Sequence, residues 1–171
     1  MKYSLWIVFI ILLFPFTGEA QDIDSFRQKF ISADSIQIVS HEDLDLMNKK
    51  TGTIAYRKIF PGNKPNYAIV KEVVTLDKHR SDQLYKLLVS GKTEEYDRAS
   101  CFVPHHAIFI FKDGVCYGLD FCFECRGTAR TDNYTIDVPI FHNEKVWTSV
   151  CDFFREQGIQ YEMPPAGRYG Y

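Results

Sequence analysis

The hydrophobic residues near both ends of the chain recur three or four residues apart, which predicts an amphipathic helix at each end. The first stripe consists of Ile23, Phe26, Phe30 and Ile31. The second stripe consists of Trp147, Val150, Cys151 and Phe154. Asn143 is suited to cap the start of the second helix, and Gly158 is suited to end it.

Between these helices the pattern changes to short apolar and β-branched runs, which are typical of strands. Residues 35–39, 53–60 and 67–76 are such runs. The third run leads into a predicted helix that Asp77 would cap and Gly91 would end, because three leucines between them share one helical face.

The clearest hairpin signal follows, where the aromatic and apolar runs 107–111 and 115–121 flank Lys112-Asp113-Gly114. Helices at both ends, with strands and a hairpin between them, predict an α+β fold. We therefore expect a mainly antiparallel sheet with a central β-hairpin at about residues 106–121 and flanking helices.

Two turn types give two registers for this hairpin. A type I turn with a bulge at Gly114 places His106 opposite Asp120 and puts both on one face with Cys122. A two-residue type I′ turn shifts the pairing by one, so that His105 faces Cys122. The bulged register is preferred because it gives the cleaner apolar face.

The first 20 residues have the pattern of a cleavable signal peptide. Lys2 precedes an apolar run, residues 5–16, that is too short to span a membrane, and small residues lead to a cut after Ala20. We expect a secreted or periplasmic protein with no stable membrane anchor after cleavage.

The remaining length suits one folded unit, a single α+β domain over residues 21–163 followed by an irregular tail over residues 164–171. Cleavage removes Lys2 and Glu19, so the formal net charge stays at -2. A nearly neutral chain lacks the excess of positive charge that is typical of proteins that bind nucleic acid. The expected partner is a protein or a small molecule.

All the cysteines follow the predicted cut, and their number is odd, so they cannot all be paired within one chain. They are Cys101, Cys116, Cys122, Cys125 and Cys151. Cys116 lies within an apolar strand and Cys151 on an apolar helix face, so both are expected to be core residues. The other three can converge with His105 or His106 at one end of the sheet.

Three interpretations of this cluster remain open. A zinc site would use Cys101, His106, Cys122 and Cys125, with Asp120 orienting the histidine. A thiol-disulfide oxidoreductase would use Cys122 and Cys125 as its catalytic couple. A structural disulfide, between Cys122 and Cys125 or between Cys101 and one of them, would only stabilise the fold. We favour a structural cluster, with disulfide or zinc, and a binding or accessory role rather than catalysis.

The segment Cys101-x-x-Pro104-x-His106, followed by Cys122-Phe123-x-Cys125, resembles a group of small uncharacterised bacterial exported proteins with the same combination. The resemblance covers mainly residues 100–126. It implies that Cys101, His106, Cys122 and Cys125 belong together and that His105 is dispensable, and it implies no particular reaction.

Overall fold

A computed structural model of the protein describes residues 26–47, 50–90, 102–131 and 144–166. Its helices are α1 (described over residues 26–31), α2 (Lys78–Leu88) and α3 (Glu144–Glu156). Its strands are β1 (Ser35–His41), β2 (Asp45–Met47), β3 (Ile54–Tyr56), β4 (Val70–Leu76), β5 (His106–Lys112), β6 (Val115–Cys122) and β7 (Gly127–Arg130).

Five of the strands form one antiparallel sheet in the spatial order β4-β1-β5-β6-β7. The predicted α+β fold, with a mainly antiparallel sheet and a central hairpin, is confirmed. The predicted strand over residues 53–60 is shorter than expected, since only β3 forms there. Its residues are exposed, and it pairs with β2 in a separate two-stranded sheet. Strand β7 was not predicted, because its sequence has no apolar alternation.

Both faces of the central strands are buried. The three helices cover one face, where Trp147, Leu84 and Phe26 pack against the sheet. The segment 57–70, with a short 3-10 turn at Pro61–Asn63, covers the other face. Two buried faces explain why β5 is a continuous apolar run rather than an alternating one.

The hairpin between β5 and β6 turns over two residues, so the bulged register was wrong. Asp113 and Gly114 have φ angles of 51° and 75°, as a type I′ turn requires, and Lys112 lies opposite Val115. The cleaner apolar face was a misleading criterion because both faces are covered. In the observed register His106 lies opposite Phe121, and Asp120 lies opposite Ala107 on the other face.

Helix ends agree with the local signals where the structure describes them. Asp77 caps α2 by accepting a hydrogen bond from the Arg80 amide at 2.8 Å, and Gly158 follows α3 with a φ of 98°. The other two predicted helix ends, at Asn143 and Gly91, lie outside the described residues, as does the predicted signal peptide. Within the described ranges, no helix is long and apolar enough to cross a membrane.

Candidate functional site

The Cys-x-x-Cys segment forms the turn between β6 and β7. Cys122 pairs with Gly127 across the turn, and Cys122 and Cys125 form a disulfide with their Cα atoms 5.4 Å apart. The Cys125 amide donates a hydrogen bond to Cys122 Sγ at 3.2 Å. The two cysteines are 4% and 2% exposed, so the disulfide is part of the packed interior.

A cavity of about 460 Å³ lies next to this disulfide, at the end of the sheet. Its walls include both cysteines, His106 at the start of β5 and His105 just before it, and Glu162 and Pro164 from the chain after α3. The cavity therefore brings together three of the four residues predicted to cluster.

His106 is a buried, neutral residue of this cavity. It is 1% exposed, and its ring packs 4.8 Å from the ring of Phe123. Burial lowers its pKa to about 3, although the hydrogen bond from Nε2 to the Tyr161 carbonyl, 3.0 Å long, acts in the opposite direction. Because Nε2 carries the proton, Nδ1 holds the lone pair.

The chain after α3 is held over the cavity by polar contacts, and we call residues 160–164 the C-terminal strap. The Glu72 carboxylate accepts hydrogen bonds from the amides of Gln160 and Tyr161, each 3.0 Å long at its shorter contact. Ser40 donates to the same carboxylate at 2.6 Å, and Arg155 donates to the Pro164 carbonyl at 2.8 Å. The predicted irregular tail therefore begins with a residue, Pro164, that is buried and bonded.

The depressed pKa of His106 predicts that the folded protein loses stability in acid. The unfolded chain protonates this histidine below its ordinary pKa of 6.5, whereas the folded chain leaves it neutral down to about 3. Between pH 6.5 and about 3, the unfolded state therefore binds more protons than the folded state. The contribution of neutral His106 to the free energy of unfolding is fully present above pH 6.5. Below pH 6.5 the free energy of unfolding should fall by about 1.4 kcal/mol for each pH unit.

Urea unfolding from pH 7 to pH 4 tests this, with His106→Gln expected to flatten the acid slope. His79→Gln is the control, because His79 lies exposed on α2 and its replacement should leave the slope unchanged. Equal slopes for wild type and His106→Gln would contradict the prediction.

On the other face of the sheet lies a buried pair that sequence reasoning missed, His41 with Asp120. His41 Nε2 lies 2.9 Å from Asp120 Oδ1, and His41 is completely buried. His41 Nδ1 lies 2.8 Å from the Glu42 carbonyl oxygen, which can only accept a hydrogen bond. Nδ1 must therefore carry a hydrogen, and His41 and Asp120 share one further proton between them.

Burial raises the pKa of Asp120, and the hydrogen bond from His41 opposes this shift. The backbone amide of Phe121 is a second donor to this carboxyl, and an unpaired charge would be costly at this buried position. The pair therefore carries no net charge whether the proton lies on Asp120 or on His41.

The predicted site residues thus separate into two groups. His106, Cys122 and Cys125 line one cavity, whereas Asp120 contacts His41 on the opposite face and does not orient His106. Cys101 lies outside the described residues. Across the described ranges, no group of three or more His, Cys, Asp or Glu side chains is arranged to hold a metal ion. The zinc set of Cys101, His106, Cys122 and Cys125 stays a prediction.

Cys116 and Cys151 are core residues, as expected. Both are buried, and burial raises the pKa of the Cys116 thiol to about 12 and that of Cys151 to about 11. Protonated thiols are poor nucleophiles and poor metal ligands. These two cysteines therefore have packing roles.

Comparison with protein-family models, curated proteins and solved structures found no match for this chain. What the protein does is therefore inferred from the site itself.

Proposed function

We propose that this protein is an exported, non-catalytic binding domain in which the Cys122–Cys125 disulfide is structural. The burial of both cysteines within the β6–β7 turn carries this proposal. The neighbouring cavity would receive a small molecule or a side chain of a protein partner. Neutral His106 and the acidic side chains of Glu124 and Glu162 supply its polar walls.

Two features favour a structural disulfide over a redox couple. Thiol-disulfide exchange requires that an attacking thiolate reach a sulfur atom, and burial hinders that approach. Catalytic Cys-x-x-Cys motifs also benefit from the N-terminus of a helix, whereas this motif leads into strand β7.

One observation favours the alternative, an exported thiol-disulfide oxidoreductase using Cys122 and Cys125. The amide of Cys125 that donates to Cys122 Sγ would stabilise a Cys122 thiolate after reduction. In that alternative Cys122 is the nucleophile and Cys125 resolves the mixed disulfide.

Export is part of the proposal, and zinc binding is the alternative to the disulfide. A disulfide suits the oxidising compartment to which a signal peptide over residues 1–20 would deliver the chain. In a reducing compartment, Cys122, Cys125, His106 and Cys101 would be the candidate zinc ligands. The resemblance of residues 100–126 to small bacterial exported proteins supports the same location.

The structural role is tested by the double variant Cys122→Ser/Cys125→Ser. Because the disulfide closes a very short loop, its loss should lower the free energy of unfolding by about 2 kcal/mol. Urea unfolding measures this, and reduction of the wild type should produce the same loss. Unchanged stability together with lost thiol exchange towards a model disulfide would instead support the oxidoreductase.

Expression of the wild-type chain tests export. Expressed with its native first 20 residues, the protein should be recovered outside the cytoplasm with Gln21 as its first residue. Intact mass before and after alkylation should show Cys122 and Cys125 protected, and metal analysis should show whether zinc accompanies the protein. Full-length chain retained in the membrane would contradict export and release.

A further inference from the structure

Two phenylalanine rings lie directly on glycines of the sheet, on the face that contains Asp120. A side chain at Gly118 of β6 would overlap the ring of Phe60. A Cβ atom at Gly127 of β7 would lie 2.8 Å from the ring of Phe102. The absence of side chains at both glycines therefore lets two aromatic rings approach the backbone closely.

Both rings line a cleft of about 230 Å³ on this face of the sheet. Asp120 and Ala129, which pair across β6 and β7, line the same cleft together with Thr131. Thr131 Oγ1 accepts a hydrogen bond from the Gly118 amide at 3.1 Å, so its hydroxyl hydrogen remains a donor. The cleft thus combines apolar walls with a carboxyl and a hydroxyl group.

Further donors come from the segment that covers this face. Arg57 and Lys58 line the cleft. Arg57 donates from Nη1 to Glu42 at 2.7 Å and from Nη2 to the Asp43 carbonyl, while its buried Nε has no hydrogen-bond partner among the described residues. The Arg57 guanidinium is therefore held by the protein itself, and the Lys58 ammonium is the donor that this segment offers to the cleft.

The cleft carries more positive than negative charge. His41 and Asp120 share a proton and together are neutral. Glu42 pairs with both Arg57 and Lys71, and Lys58 adds a further positive charge to the lining. These donors, with the carboxyl and hydroxyl groups beside them, suit a ligand that carries several hydroxyl groups. Aromatic rings beside polar groups also suit a ligand that has an apolar face and hydroxyl edges.

We propose that this cleft binds one sugar ring, either a free monosaccharide or the terminal ring of a glycan. The ring's C–H face lies against Phe102, and its hydroxyl groups bond with Asp120, Thr131 and Lys58. The volume accommodates a single six-membered ring. This site is separate from the disulfide cavity and does not depend on the function proposed for it.

Saturation-transfer NMR on the mature protein tests the proposal with glucose, galactose, mannose and N-acetylglucosamine as probes. At least one sugar should give a saturable signal. Phe102→Ala should weaken its affinity at least about tenfold, whereas Phe102→Trp should preserve binding. Phe102 is 43% exposed, so the alanine variant should fold, and circular dichroism checks this.

Val103→Ala is the matched control, since Val103 is the next residue, is also exposed, and lines the disulfide cavity instead. Its affinity should equal that of the wild type. The proposal is overturned if none of the four sugars binds saturably, if Phe102→Ala binds as the wild type does, or if Val103→Ala loses binding equally.

Discussion

Replacing Asp120 by Ala is expected to lower the free energy of unfolding by about 3–5 kcal/mol, the cost of breaking a buried pair. His41 would lose the partner of its Nε2 while remaining completely buried. Urea unfolding at neutral pH measures the loss.

Two further variants distinguish the loss of the His41–Asp120 pair from the general effect of removing a carboxylate. Asp120→Asn keeps the shape and one acceptor, so it should cost less, about 1–3 kcal/mol. Asp43→Ala removes an exposed carboxylate 3.4 Å from His105 and should change stability by less than about 1 kcal/mol. Similar small losses for Asp43→Ala and Asp120→Ala would show that the buried pair does not contribute as inferred.

Phe121→Ala should have a comparable effect, about 3–5 kcal/mol, because it leaves a cavity where sheet and helix meet. Phe121 is fully buried, and its ring lies 6.2 Å from that of Trp147 and 6.1 Å from that of Phe154. Phe102→Ala removes the same atoms from a half-exposed site and should cost about 1 kcal/mol or less. Thermal and urea unfolding of both variants check this, and equal losses would be contrary to expectation.

The elements could largely be predicted because each depends on neighbouring residues. The cap at Asp77 needs only the amide of Arg80, and the end of α3 needs only the conformational freedom of Gly158. The fold class followed from the order of these elements. Strand β7 was missed because it forms through backbone pairing with β6 rather than through its own side-chain pattern.

The hairpin register could not be settled locally, because either turn type fits Lys112-Asp113-Gly114. The two-residue turn is held by a distant residue, since Asp34 accepts a hydrogen bond from the Asp113 amide at 2.7 Å. Once both faces of the sheet are covered, hydrophobic alternation no longer distinguishes one register from the next. The predicted contact between His106 and Asp120 failed for this reason.

The candidate site was predicted in part. The short spacing of Cys122 and Cys125 predicts that they lie side by side. The hairpin predicts that His106 lies at the same end of the sheet. The partner of Asp120 is 79 residues away in sequence, and His41 gave no signal beyond a histidine at the end of an apolar run. Pairing over that separation is determined by the strand order, which no local motif encodes.

The C-terminal strap has a consequence for the order of events during biosynthesis. Cys122 and Cys125 are only three residues apart, so a disulfide between them can form soon after both have been synthesised, wherever an oxidant is present. The strap that later encloses them is translated more than thirty residues afterwards. Its position also depends on Glu72, whose carboxylate accepts hydrogen bonds from the strap amides. Oxidation would therefore come first and enclosure last, so an oxidant would meet the two thiols while they are still accessible.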